Sequence, residues 1–126
     1  MVNSFVAVGA GAVLGAWARW GLGYLLNAVF PNLPLGTLVA NLVGGYLIGF
    51  VLELLARHGE VAPEVRLFVV TGMLGALTTF STFSAEAVTL MTRQQYGWMA
   101  LHIGGHLVGS LAFTILGIAS AKWVMS

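Results

Sequence analysis

The 126-residue chain carries five basic and four acidic side chains, 7% of its residues, against 59% hydrophobic, whereas a soluble globular domain is about 25% charged. Nine charges cannot coat a water-facing surface, so lipid is the solvent this chain requires. A net charge of +1 gives no basic patch for nucleic acid and no polybasic tract for a membrane surface, and the absence of cysteine excludes disulfides and thiolate metal sites.

Four apolar stretches follow one another, residues 4–27, 36–56, 65–92 and 98–123, each long enough for the ~20 residues that cross a ~30 Å hydrocarbon core. The expectation is an all-α membrane protein, a single four-helix transmembrane domain over residues 1–126. The N-terminal MVNSFVAVGAG has no basic region before its apolar residues and reads as the start of the first helix rather than a signal peptide. Gly11 and Gly15 in the first stretch, Gly45 and Gly49 in the second, and Gly105 and Gly109 in the fourth each form a GxxxG pair. Small residues four apart let helices approach closely in lipid, and one or more pairs are expected at a subunit interface. The breaks FPNLPLG, ARHGEVAPEVR and TRQQYG are short, which predicts that consecutive helices are antiparallel neighbours.

The third stretch departs from the others. An unbroken helix of its length would run to ~42 Å, and its middle reads GMLGALTTFSTFS, Gly72 to Ser84. Glycine disfavours a helix interior, and hydroxyl side chains satisfy freed backbone groups. A break is predicted near Gly75 to Thr79, where exposed backbone is tolerated only if it is buried in protein or lines a cavity.

His102, His106, Ser110 and Thr114 recur every four residues on the fourth helix and form one polar stripe. Asn41, Ser81, Ser84 and Glu86 add polar groups on the second and third, and all are expected to face the bundle interior. His102 and His106 could hold a metal only if Glu86 or His58 supplied a third ligand. Phe80 and Phe83 stand beside the hydroxyls, and the positive edges of their rings suit a small anion held weakly enough to leave again.

The run GxxGxxTTFSTFSxE at Gly72 to Glu86, with GTLxxNLxGxxxxG in the second stretch (Gly36, Thr37, Leu38, Asn41, Leu42, Gly44, Gly49) and GAxxRW in the first (Gly15, Ala16, Arg19, Trp20), closely resembles the Fluc, or CrcB, family of bacterial fluoride channels. That resemblance implies a dual-topology, antiparallel homodimer with two pores in the bacterial inner membrane, a non-enzymatic exporter that lowers cytoplasmic fluoride by passive conduction. It implies ring-edge fluoride contacts at Phe80 and Phe83 and a pore-side amide at Asn41. It places Ser81, Thr82, Ser84, Glu86, Ser110 and Thr114 along or beside the pores and Arg19 near a vestibule. A structural sodium ion at the dimer centre would rest on the backbone carbonyls of Gly75 and Thr78. His106, on the polar stripe of the fourth helix, is counted with the fluoride path, whereas a place for His102 on that path rests on the helical stripe alone and its role stays open.

A proton-coupled multidrug exporter of similar size is the rival reading, but it needs a membrane carboxylate, usually in the first helix, where none lies; Glu86 would have to substitute, and TTFSTFS would have no role. A purely structural assembly subunit would use the glycine pairs and leave the polar stripe unexplained. The basic residues give the dual topology a separate argument. Arg57, Arg66 and Lys122 fall on one side and Arg93, with Arg19 near the interface, on the other, a balance too even to fix an orientation.

Overall fold

The computed structural model describes residues 1–126. Helix α1 runs Val2–Leu26 and α2 runs Leu35–Arg57. The third span begins with α3, residues 63–77, in which Pro63–Arg66 continues into a π-helical turn at Leu67–Leu74 and closes at Gly75–Leu77. Pro63 sits at the first turn, where its missing N–H has no helical partner to lose. After a two-residue interruption the span resumes as α4, Phe80–Thr92, and α5 spans Tyr96–Val124. Counting α3 and α4 together, four helices are long and apolar enough to cross a membrane. Their outer faces are lined with exposed Val, Leu, Ile, Phe and Trp, as a lipid-facing surface requires. The chain is a multi-pass membrane protein.

The interruption falls at Thr78 (φ −89°, ψ 155°) and Thr79 (φ −152°, ψ 121°), near the middle of the 30-residue stretch Pro63–Thr92. The break expected near Gly75 to Thr79 is present, but Gly75 itself is helical (φ −62°, ψ −35°). Two threonines in extended conformation open the helix, and the glycine upstream does not. The Thr79 hydroxyl then starts α4 by accepting from the Thr82 N–H at 3.1 Å, which meets one of the donors a helix start leaves unpaired.

Consecutive spans are neighbours as expected, α1 with α2 and α4 with α5, and more lightly α2 with α3 and α4, but the densest pairings join alternate spans, α1 with α3 and α2 with α5. The seams that carry the main pairings are the glycine pairs. A methyl group added at Gly15 would collide with the Met73 carbonyl, and one at Gly11 with the Phe68 carbonyl. Across the other seam Gly49 faces the Thr114 carbonyl and Gly117 faces the Tyr46 carbonyl in the same way. The third pair packs its Gly109 against Leu42. All three pairs, of which one or more were expected at a subunit interface, serve packing within the chain, because backbone-to-backbone approach fixes which spans pair. The buried core is correspondingly small, with Ala40, Leu74 and Leu77 at its centre.

This packing predicts opposite outcomes for two glycine substitutions. Gly117→Val forces a branched side chain onto a backbone carbonyl and should lower stability by about 2 kcal/mol or more. Gly21→Ala has no atom within 4 Å of the added carbon and should raise stability by up to about 1 kcal/mol through helix propensity. Thermal unfolding in detergent, with the yield of monodisperse protein, measures both.

Candidate functional site

A break inside the bilayer leaves backbone groups that lipid cannot satisfy. Asn41, two turns into α2, meets those of Thr79 from both directions. Its Oδ1 accepts from the Thr79 N–H at 2.8 Å, and its Nδ2 donates to the Thr79 carbonyl at 3.1 Å. The same Nδ2 lies 3.0 Å from His106 Nδ1 on α5. One side chain thus joins α2, the break and α5. Beside it Gly44 lets the Thr78 methyl group approach α2, and the Thr78 hydroxyl donates back to the Leu74 carbonyl at 2.9 Å.

On the other flank, Arg19 reaches from α1 and donates through Nε to the Ala76 carbonyl at 3.0 Å. A guanidinium there meets one of the carbonyls left open at the end of α3 and sits favourably at the negative pole of that helix. The arginine expected near a vestibule therefore holds the broken end of α3. Because the Thr79 N–H turns to Asn41, the Gly75 carbonyl is released from its helical bond to that group. Gly75 is exposed on the chain's surface.

Around the break opens a groove of about 460 Å³ lined by Asn41, Thr78, Thr79, Phe80, Phe83, His106 and Ser110, with Gly75 and apolar residues of α2, α3 and α5. The rings of Phe80 and Phe83 are 5.7 Å apart and tilted by 57°. Phe80 is 78% exposed. Phe83 turns inward, 5.2 Å from the His102 ring and 4.6 Å from the His106 ring. The stripe on α5 holds together, but its members differ. His102 and His106 are buried, Ser110 reaches the groove, and the Thr114 hydroxyl bonds to the Ser110 carbonyl at 2.9 Å, the ordinary habit of a membrane threonine. Ser81, expected to face the bundle interior, is instead exposed at the first turn of α4, with its hydroxyl 3.3 Å from that of Thr79. Thr82 and Ser84 are half-buried on α4, and Thr82 contributes its N–H to the helix start.

Glu86 is half-buried on α4. Its Oε2 accepts from the Thr37 hydroxyl at 2.7 Å, and its Oε1 lies 3.5 Å from His102 Nε2. Two residues in this network had no role assigned from sequence. Thr37 is buried at 4% exposure, and only its place one turn before Asn41 signals that it shares a face with the polar groups. His102, whose role sequence left open, is buried at 1% exposure, with its Nε2 3.4 Å from the Phe83 carbonyl and 3.5 Å from Glu86 Oε1, which has no hydrogen-bond partner.

Fold and site together define a polytopic membrane protein built around a helix break in the bilayer, with an aromatic and hydroxyl-lined groove beside it. The chain belongs to the CrcB-like family: the family model described as "CrcB-like protein, Camphor Resistance (CrcB)" matches residues 6–118. Similar proteins include "Fluoride-specific ion channel FluC" of Nitrosospira multiformis, 59% identical over 121 residues that cover 96% of this chain and 94% of the relative. The protein of the same name from Thiobacillus denitrificans is 55% identical, covering 98% and 99%. That of Acinetobacter baumannii is 51% identical, covering 98% of each.

The clamp at the break predicts a contrast between two polar residues of similar exposure. Asn41→Leu strands the N–H and the carbonyl of Thr79 and should cost about 2 kcal/mol or more. Thr114→Val removes a bond within a single helix and should cost under about 1 kcal/mol. Denaturant unfolding of the two variants beside the native chain measures the difference.

Proposed function

We propose that the chain is a fluoride-selective channel, not an enzyme, and that it lowers cytoplasmic fluoride by passive electrodiffusion across the bacterial inner membrane. The observation that carries this reading is the pairing of Phe80 and Phe83 at a groove beside a clamped helix break, in a chain 59% identical to a protein called a fluoride-specific ion channel. Ring edges and hydroxyls offer a small anion several weak donors without a fixed charge. Weak and repeated contacts let an ion enter and also leave. In this reading Phe80, Phe83, Asn41, Ser81, Thr82, Ser84, Ser110, Thr114, His106 and Glu86 line or border the path, and Arg19 sets a positive potential towards its mouth.

The working unit is an antiparallel homodimer with two pores. Its support is the even balance of basic residues between the two sides, and the side-on position of the groove, which a single chain leaves open with Phe80 on its outer surface. A second copy inserted the other way would wall that groove and meet the first copy near the exposed Gly75. A sodium ion at the dimer centre fits the same place. Carbonyls freed at the break are the hard oxygen donors such a cation takes, and Gly75 and Thr78 would supply them from each copy. The ion would tie the two broken spans together without entering the fluoride path.

Fluoride efflux from reconstituted liposomes tests this function, with chloride as the control. The native chain should release fluoride without proton coupling and leave chloride inside. Phe80→Ile and Phe83→Ile, which keep bulk and remove the positive ring edge, should each slow fluoride about two- to tenfold while the dimer survives. Equal rates for the two halides, or full activity in both variants, would contradict the reading. So would an unchanged dimer and unchanged efflux after exhaustive removal of sodium, for the ion's part in it.

A further inference from the structure

Glu86 and His106, which border the path proposed above, form with His102 a constellation whose chemistry the ring-edge contacts leave unassigned. Each offers one ligand-type atom, and these atoms lie within 4.8 Å of one another. Two imidazoles and a carboxylate are the donor set of a zinc centre with an open position. The hydrogen bonds around His106 point elsewhere. A backbone N–H donates only to an acceptor, so the Thr79 N–H fixes the near atom of the Asn41 amide as oxygen. The far atom is then the NH2 group, with one hydrogen for the Thr79 carbonyl and one for His106 Nδ1. His106 Nδ1 must therefore present a lone pair, and in a neutral imidazole the proton sits on Nε2.

That Nε2–H is buried and has no hydrogen-bond partner. Its ring stands between Phe83 at 4.6 Å and His102 at 4.5 Å and borders the groove. A buried donor without an acceptor is costly enough that a mobile acceptor should complete it. His102 Nε2 lies 3.4 Å from the Phe83 carbonyl, which can only accept, so its proton also sits on Nε2. The cluster is left with a single free imidazole lone pair, on His102 Nδ1, where a zinc centre of this kind needs two.

We propose that Asn41 is a positioning residue that fixes His106 in its Nε2–H tautomer, and that this donor recognises a small dehydrated anion instead of ligating a metal cation. The identity of that anion as fluoride rests on the channel reading above. Asn41 then acts on the ion through His106, and its own amide hydrogens stay with the backbone and the ring. Glu86 on the far side of the cluster disfavours long residence of an anion, which suits passage over trapping.

Side-chain 15N NMR of the histidines tests the proposal in H58A protein, where only His102 and His106 remain and the exposed loop residue is removed. The expected spectrum shows His106 protonated at Nε2 and bare at Nδ1, and fluoride but not chloride shifts the Nε2–H resonance. Asn41→Asp, whose carboxylate accepts instead of donating, should switch the ring to Nδ1–H and abolish the fluoride response. If that variant does not fold, the H58A spectrum still decides the tautomer. In liposomes, His106→Leu should lose at least about tenfold in fluoride efflux, and His106→Gln, which retains an N–H donor, should recover part of it. An Nδ1–H tautomer in H58A protein, or zinc bound there through two imidazoles, would overturn the proposal. The expected tautomer with no response to fluoride, in protein that conducts fluoride, would overturn the anion half alone. The expected tautomer in protein that conducts no fluoride would overturn that half together with the channel reading.

Discussion

Everything near the middle of this molecule depends on the two hydrogen bonds between Asn41 and Thr79. An open helix in hydrocarbon exposes a donor and an acceptor, and water is not there to take them. Asn41 is suited to the task because an amide carries both kinds of group on one plane, so a single side chain satisfies both the N–H and the carbonyl of Thr79. An aspartate could only accept, and a serine or threonine is too short to span both. With the break held, the third span redirects, and Phe80 and Phe83 are delivered to the groove at the first turn of α4. The amide's second hydrogen extends the constraint to α5 through His106.

The remaining architecture keeps that clamp in register. Helices in lipid gain little from burying apolar surface against one another, so close backbone contact and hydrogen bonds decide which spans pair. Gly11, Gly15 and Gly72 bring α1 and α3 together, and Gly45, Gly49 and Gly117 do the same for α2 and α5. The second seam aligns Asn41 with His106 and Ser110. The first carries Arg19 to the Ala76 carbonyl at the broken end of α3. Two dense seams thus leave the looser contact between them, around Thr78 and Thr79, as the place where a groove can open.

Much of this was legible in the sequence. Four spans followed from apolar length, and the helices run within about three residues of the expected bounds. The break followed from GMLGALTTFSTFS, because glycine and hydroxyl residues inside an overlong apolar run have few other uses. What escaped depends on tertiary partners. The π-helical turn at Leu67–Leu74 has no local signature in LFVVTGML, which reads as ordinary apolar helix. Glycine pairs announce close approach but not the identity of the neighbour, so seams inside the chain were expected at a subunit interface. Short loops suggested sequential neighbours, which do touch, yet the densest seams, built on glycines, join alternate spans. Thr37 stood in the quoted motif without a role, since only its partner Glu86, 49 positions along the chain, reveals its use. His102 lay on a visible stripe, and only the folded chain sets it against Phe83 and Glu86.

In the proposed channel a clamped break, aromatic edges and hydroxyls carry one small anion down its gradient without help from protons or another ion. The most direct measurement is the reversal potential of single protein molecules in a planar bilayer under a fluoride gradient, with chloride and pH then varied on one side. The account predicts a potential that follows the fluoride equilibrium potential and does not move with chloride or pH. A potential that tracked the proton gradient, or that fell when chloride was added to one side, would contradict it.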